Sequence, residues 1–335
     1  NMAQSTNDTM HVAIHISAYL EIRDRLIPAI ERMQERLREK AEAFDGIVKS
    51  ARTHLQDAVP MRLGQTFGAW ATMMERDADR VKRAADGLLA IGIGGTACGT
   101  GLNTDPHYVD RAVEAISNVT GADFRAAEDM FESMQALDAV VEVAGALRVL
   151  TTSLRKIADD LRLLSSGPRT GLAEIKLPPV QPGSSIMPGK VNPVMAEMMN
   201  MVCFHAMGCD TAIVTACQAG QLELNVMMPM IAYDLLMEIT VLAGGMNALC
   251  DRCIGGIEAD EKKCRQYAER TSALATALAP AIGYEKAAKL AYEALDKDVL
   301  IRELVREKGV LDEEELKKVL DIDRMATHPR ERKDA

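Results

Sequence analysis

The chain has 335 residues, 48% of them hydrophobic, and a formal net charge of −10. This length suffices for a large core and suggests about two domains. The acidic balance argues against a nucleic-acid-binding face, which needs clustered Lys and Arg. No apolar run reaches the ~18 residues of a membrane span. The seven cysteines are odd in number and scattered, and with no signal peptide expected they read as reduced thiols of a cytoplasmic protein. Cys250 and Cys253, with Cys264 beyond them, lack a second CxxC and a suitable His. Two thiols on one helix face is the preferred reading over zinc.

In chain order, Ser5, Thr6 and Asn7 form a cluster of helix N-cap residues. Pro28 is placed in a first turn or at a kink between two helices. Ile30, Met33, Leu37, Ala41, Phe44 and Val48 step by three and four, an amphipathic stripe. Thr53 and His54 follow in a polar stretch ahead of Pro60. Gly94 to Asn103 is rich in Gly and Thr but lacks a P-loop ending and a preceding strand. It reads as a tight structural connection, not a nucleotide site. Val140, Val143, Leu147, Leu150, Leu154, Ile157, Leu161 and Leu164 make an unbroken heptad seam, stopped by Ser165-Ser166-Gly167-Pro168.

Two more long helices are expected, from Pro193 to about Cys217 and from Asn225 to about Cys253. The second tolerates Pro229 near its start, and Gly244-Gly245 is a point at which it could loosen. Both are apolar on more than one face, so further copies of the chain are expected to cover them, as a homotetramer. Beyond Gly255 the segments shorten. Gly309 ends one helix, and Asp312 with Glu315 caps the next. Strand signals are weak throughout. The expected fold is all-α, with a central helical-bundle domain over 1–255 and a small helical C-terminal domain over 256–335.

The most informative stretch is Gly183-Ser184-Ser185-Ile186-Met187-Pro188-Gly189-Lys190-Val191-Asn192-Pro193, between two helical segments. It holds a candidate nucleophile or base (Ser184), a cation (Lys190) and a polar residue (Asn192) placed to cap the next helix, with Pro193 at its first position. Glu197 follows one turn later. A helix N-terminus offers free N–H groups and partial positive charge to an anion such as a carboxylate.

This loop resembles the signature loop of the fumarase/aspartase superfamily almost letter for letter. The resemblance extends to Asn1–Asp8, to Arg52-Thr53-His54-Leu55-Gln56-Asp57-Ala58, to Gly94–Asn103 and to Ser166-Gly167-Pro168-Arg169, covering essentially the whole chain. It implies a serine base at Ser184. Lys190 and Asn192 are implied as carboxylate binders, with Lys190 also stabilising the intermediate. Thr53 and His54 are implied on the second carboxylate, with His54 sharing charge or proton work. Ser5, Thr6 and Asn7 are implied around the leaving group, and Glu197 in a supporting role. No metal or organic cofactor is implied. The partners implied are a small dicarboxylate substrate and other copies of the chain, not nucleic acid or membrane. His11 and Val12 depart from the usual Pro-Thr, which puts the start of the first helix in question.

Val194, Leu161–Arg169, Ala127-Glu128-Asp129 and Ala219–Leu222 resemble the aspartase branch. Pro188-Gly189-Lys190 and Ile282–Ala288 resemble the fumarase branch. The balance implies elimination of ammonia from L-aspartate to give fumarate. The alternatives are hydration of fumarate to malate, or an inactive fragment of such an enzyme. Members also carry a leading domain with a Gly-Ser-Gly-Thr-type loop that nothing here matches. The resemblance thus implies a chain lacking that domain and inactive alone.

Overall fold

The computed structural model describes residues 2–182 and 186–328. Helix α1 (Thr6–Glu21) runs through one π-turn (Ile22–Leu26) into α2 (Ile27–Ala43). Pro28 lies in the first turn of α2, as its position suggested. Its ring would collide with the carbonyl four residues back in a regular helix. The chain widens instead: the Ile27 N–H bonds to the Ile22 carbonyl, five residues back. The stripe residues Ile30, Met33 and Leu37 are fully buried.

A hairpin follows, of β1 (Val48–Thr53) and β2 (Gln56–Arg62), and then α3 (Leu63–Asp86). The remaining strands are two residues long: β3 (Ala90–Ile91) pairs with β4 (Arg125–Ala126), and β5 (Ile175–Lys176) with β6 (Glu258–Ala259). Between them lie α4 (Tyr108–Thr120), α5 (Met130–Gln135), α6 (Asp138–Leu164), α7 (Val194–Cys217) and α8 (Met228–Arg252). Short helices close the chain: α9 (Glu261–Arg270), α10 (Ala275–Ile282), α11 (Tyr284–Lys297), α12 (Ile301–Glu307), α13 (Glu313–Val319) and α14 (Ile322–Met325).

These elements form two compact units. The first comprises Asn1–Arg36, Trp70–Arg162 and Pro179–Gly255; the second comprises Leu37–Ala69, Leu163–Pro178 and Gly256–Ala335. The C-terminal stretch is thus joined in its unit by the hairpin and by the segment after α6.

In the first unit the long helices pack side by side. Every seam residue of α6 from Val140 to Leu161 is fully buried, which at about 2 kcal/mol per large apolar side chain makes this helix a main source of stability. Polar contacts set its register. Arg148 grips Asp210 of α7 through two bonds of 2.7 and 2.8 Å, and Asn200 donates to Asp159 at 2.8 Å. Helix α8 continues unbroken through Gly244-Gly245. A Cβ on Gly245 would stand 3.2 Å from Val202 of α7, so this glycine serves close helix approach. By length and composition α8 is long and apolar enough to cross a bilayer, although its sequence holds no unbroken apolar run of that length. Here it is a core helix, with Ile231, Leu235, Ile239, Leu242 and Leu249 fully buried.

The second unit has its own core, built from Leu278, Leu304, Val305, Leu316 and Leu320 with Val48 of the hairpin. Asp312 caps α13 by accepting from the Glu315 N–H at 2.8 Å, as its spacing suggested.

Candidate active site

Ser5 is the N-cap of α1. Its hydroxyl accepts from the Asn7 N–H at 3.2 Å, and its own N–H donates to Asp8 at 3.2 Å, a reciprocal capping box. His11 and Val12 do not disturb this start: the ring nitrogen Nδ1 of His11 donates to the Asn7 carbonyl at 2.9 Å. Thr6 is exposed and Asn7 half-buried.

The Gly-rich stretch lies against this helix start. Asp8 is fully buried, and its second oxygen accepts from the N–H groups of Gly94 and Thr96 at 3.0 and 3.1 Å. The Asn7 amide nitrogen donates to the Ala97 carbonyl at 2.8 Å. Gly94 has φ +92°, and a Cβ there would meet Val109 at 2.6 Å, so only glycine fits. One turn further on, Nδ1 of His15 bonds the carbonyls of Leu88 and Ala90 at 3.1 and 3.0 Å. Burial, and then the neighbouring His11, push the His15 imidazole down to about 4, so it stays neutral near pH 7.

Ser184, with Gly183 and Ser185, lies outside the described residues. Just after it, Met187 to Lys190 form a Pro-Gly turn. Pro188 precedes Gly189 at φ +83°, and the Lys190 N–H bonds the Met187 carbonyl at 3.2 Å. Lys190 is exposed at the end of this turn.

The expected cap by Asn192 is not formed. Pro193 occupies the N-cap position of α7 and the helix starts at Val194, with no side-chain cap. The backbone of Asn192 is used instead, accepting from the Val194 N–H at 2.9 Å. The Asn192 side chain is thereby left uncommitted to capping, at a helix end with partial positive charge. Glu197 sits half-buried in the first turn of α7, its N–H bonded to the Pro193 carbonyl.

Thr53 and His54 stand on the second unit, at the exposed tip of the β1–β2 hairpin. Thr53 pairs with Gln56, leaving His54 and Leu55 as a two-residue turn with φ of 54° and 59°. Two positive φ values are what a type I′ hairpin turn requires. The weak strand signal concealed this hairpin. Pro60 sits within β2, tolerated because each strand of a two-stranded ribbon has an open edge.

The candidates therefore fall into two groups. Ser5, Thr6, Asn7, Lys190, Asn192 and Glu197 belong to the first unit, Thr53 and His54 to the second. Among the described residues no hydrogen bond or ion pair joins the Ser5–Asn7 segment to Lys190, Asn192 or Glu197. The structure adds Asp8, whose spacing from Ser5 is a capping-box signal. It also adds Glu174, which no local pattern marks. Among the described residues no cluster of three or more His, Cys, Asp or Glu is placed to hold a metal ion. The cysteines are free, and burial pushes the Cys253 thiol up to about 12.

Comparison with known proteins identifies the family. A lyase family model matches residues 1–208, and a model of the fumarase C C-terminus matches residues 274–327. The chain is 47% identical over 320 residues to the aspartate ammonia-lyase of Bacillus subtilis, covering 96% of this chain and 67% of that protein. It is 44% identical to the class II fumarate hydratase of Neisseria meningitidis, over 98% of this chain and 71% of that protein. A crystal structure of the fumarate lyase:delta crystallin from Brucella melitensis bound to cobalt superposes with a TM-score of 0.95 at 42% identity, covering 98% of this chain and 71% of that one. The class II fumarase of Schistosoma mansoni gives 0.93 at 32% identity, covering 97% and 71%. With its helical architecture and these relatives, the chain belongs to the fumarase/aspartase superfamily of lyases.

Proposed function

We propose that the protein removes ammonia from L-aspartate to give fumarate, reversibly. Ser184 takes the proton from Cβ, next to a carboxylate. The electron pair left on carbon moves into that carboxylate, giving an enediolate-like intermediate. It then returns to form the double bond as the amine leaves the neighbouring carbon. Lys190 and Asn192 hold the doubly charged carboxylate, the electrostatic contribution usually largest in such reactions. Thr53 and His54 hold the other carboxylate, and Glu197 supports the Lys190–Asn192 end of the site.

The choice of leaving group rests on sequence likeness, and the orientation of Asn7 is compatible with it. Only the NH2 end of the Asn7 amide can donate to a carbonyl, so the 2.8 Å contact with Ala97 assigns the amide nitrogen to that side. The Asn7 oxygen is then left to accept from a ligand, and an ammonium offers it three N–H donors where a hydroxyl offers one. The 47% identity to an aspartate ammonia-lyase supports the same reading. Class II fumarate hydratase is the second reading, favoured by the 44% identity to the Neisseria protein and by the Pro188-Gly189-Lys190 turn.

The test is Ser184→Ala in the full-length protein. It should lower kcat by about a thousandfold or more with little change in KM. Activity retained in Ser184→Ala but lost in Ser185→Ala would move the base by one residue.

A homotetramer is part of this proposal. Met201, Phe204 and Met207 line one exposed face of α7, and Met230 and Tyr233 are exposed on α8. Apolar faces of this size are ordinarily covered by a partner. Light scattering at micromolar concentration should give four chains; a monomer would contradict it.

A further inference from the structure

The first strand of the hairpin that presents Thr53 and His54 is gripped by a buried carboxylate. Glu174, fully buried in the segment after α6, has one oxygen 2.7 Å from an Arg52 guanidinium nitrogen and the other 3.0 Å from the Lys49 ammonium. Lys49 and Arg52 are three apart on β1, and regular strand alternation would send them to opposite faces. The register breaks between Ser50 and Arg52, where Ala51 opposes both Ala58 and Val59. Such an irregularity re-aims the residues beside it, and here both cations reach one carboxylate.

Glu174 is itself well fixed. Its N–H bonds the Leu164 carbonyl, and its carbonyl accepts from the Asp260 N–H, both at 2.9 Å. Arg52 also donates to the Ser50 carbonyl at 3.3 Å and stacks 5.3 Å from the centre of the Tyr267 ring. The next residues along the chain are Thr53 and His54. His54 and Leu55 hold left-handed backbone at a cost of about 1–2 kcal/mol each, a conformation that persists only when its surroundings impose it.

We propose that Glu174 is a positioning residue for the Thr53–His54 turn. Through Arg52 and Lys49 its carboxylate fixes the end of β1, so that the turn meets a substrate carboxylate without first having to order itself. This rests on Thr53 and His54 being substrate contacts.

The experiment measures KM and kcat for L-aspartate in the full-length protein. It compares Glu174→Gln, Glu174→Asp and Thr53→Ala at a temperature where circular dichroism shows each folded. Glu174→Gln should raise KM about tenfold while kcat changes much less, the pattern of a lost uniform binding contact. Glu174→Asp, which keeps the charge, should recover part of that loss. Should Glu174→Gln not fold, Arg52→Lys serves the same measurement. It keeps a cation but loses the fork and the ring stacking, and should raise KM severalfold. A normal KM in folded Glu174 and Arg52 variants, with a raised KM in Thr53→Ala, would overturn the proposal. A normal KM in Thr53→Ala as well would instead remove the reading of the turn, and the proposal with it.

Discussion

The two polar segments that the motif pattern marks are each anchored by a buried carboxylate, but with different partners. In the first unit, Asp8 accepts three backbone N–H groups, from Ser5, Gly94 and Thr96. In the second, Glu174 faces two side-chain cations, Lys49 and Arg52. Backbone donors carry no net charge, so no ion is left behind when Asp8 is removed. Lys49 and Arg52 were themselves taken out of water and depend on their counter-ion. A third buried carboxylate has neither kind of partner. Both oxygens of Glu238 in α8 are unbonded among the described residues. Burial, and then the charge of Asp210, push its carboxyl up to about 9, so it holds a proton at neutral pH. Amides, cations and a proton are three ways of keeping a carboxyl group inside a fold, and each fails differently.

The largest expected effect is at Glu174. Glu174→Gln leaves the buried Lys49 and the half-buried Arg52 without their counter-charge and should cost about 3–5 kcal/mol in urea unfolding. Adding Lys49→Met should restore part of that stability, since one stranded cation is removed; no recovery would mean that charge balance is not what holds the hairpin. Asp8→Asn should cost less, about 2 kcal/mol, because the amide oxygen still accepts while the amide NH2 faces a donor. A loss as large as that at Glu174 would erase the distinction between amide and cation anchoring.

Glu238 should behave in the opposite sense. Its carboxyl titrates at about 9 in the fold, against an ordinary value of 4.5. Between those values the folded chain holds a proton that the unfolded chain has released. The stability it contributes is fully present below about 4.5 and is lost as pH rises through about 9. Glu238→Gln should therefore change little at pH 4 and become progressively stabilising towards pH 9. A melting-temperature difference that is flat across this range would show that Glu238 is ionised in the fold.

The features legible in the sequence are the local ones. The α6 seam, its stop after Leu164, the Ser5 cap and the bounds of α7 all follow from spacing within a few turns of helix. Asn192 was misassigned as a cap for a local reason too. The Pro188-Gly189 turn and Pro193 shift the start of α7 one residue further, and Pro193 takes the cap position. The hairpin was concealed because β1 and β2 are short and polar and their pairing is interrupted beside Ala51. Glu174 was out of reach for another reason. Its partner Arg52 is 122 residues away, and nothing near either residue announces the pair.

The central claim is that the site is built around an ammonium leaving group, with the Asn7 oxygen facing it. The direct measurement is fumarate production by the full-length protein from L-aspartate and from L-malate, side by side at saturating concentration. Both substrates offer the same two carboxylates, so Lys190, Asn192, Thr53 and His54 serve either, and only the surroundings of the leaving atom separate them. Turnover of aspartate with malate nearly inert is the predicted result. Faster turnover of malate would contradict it and make the protein a fumarate hydratase.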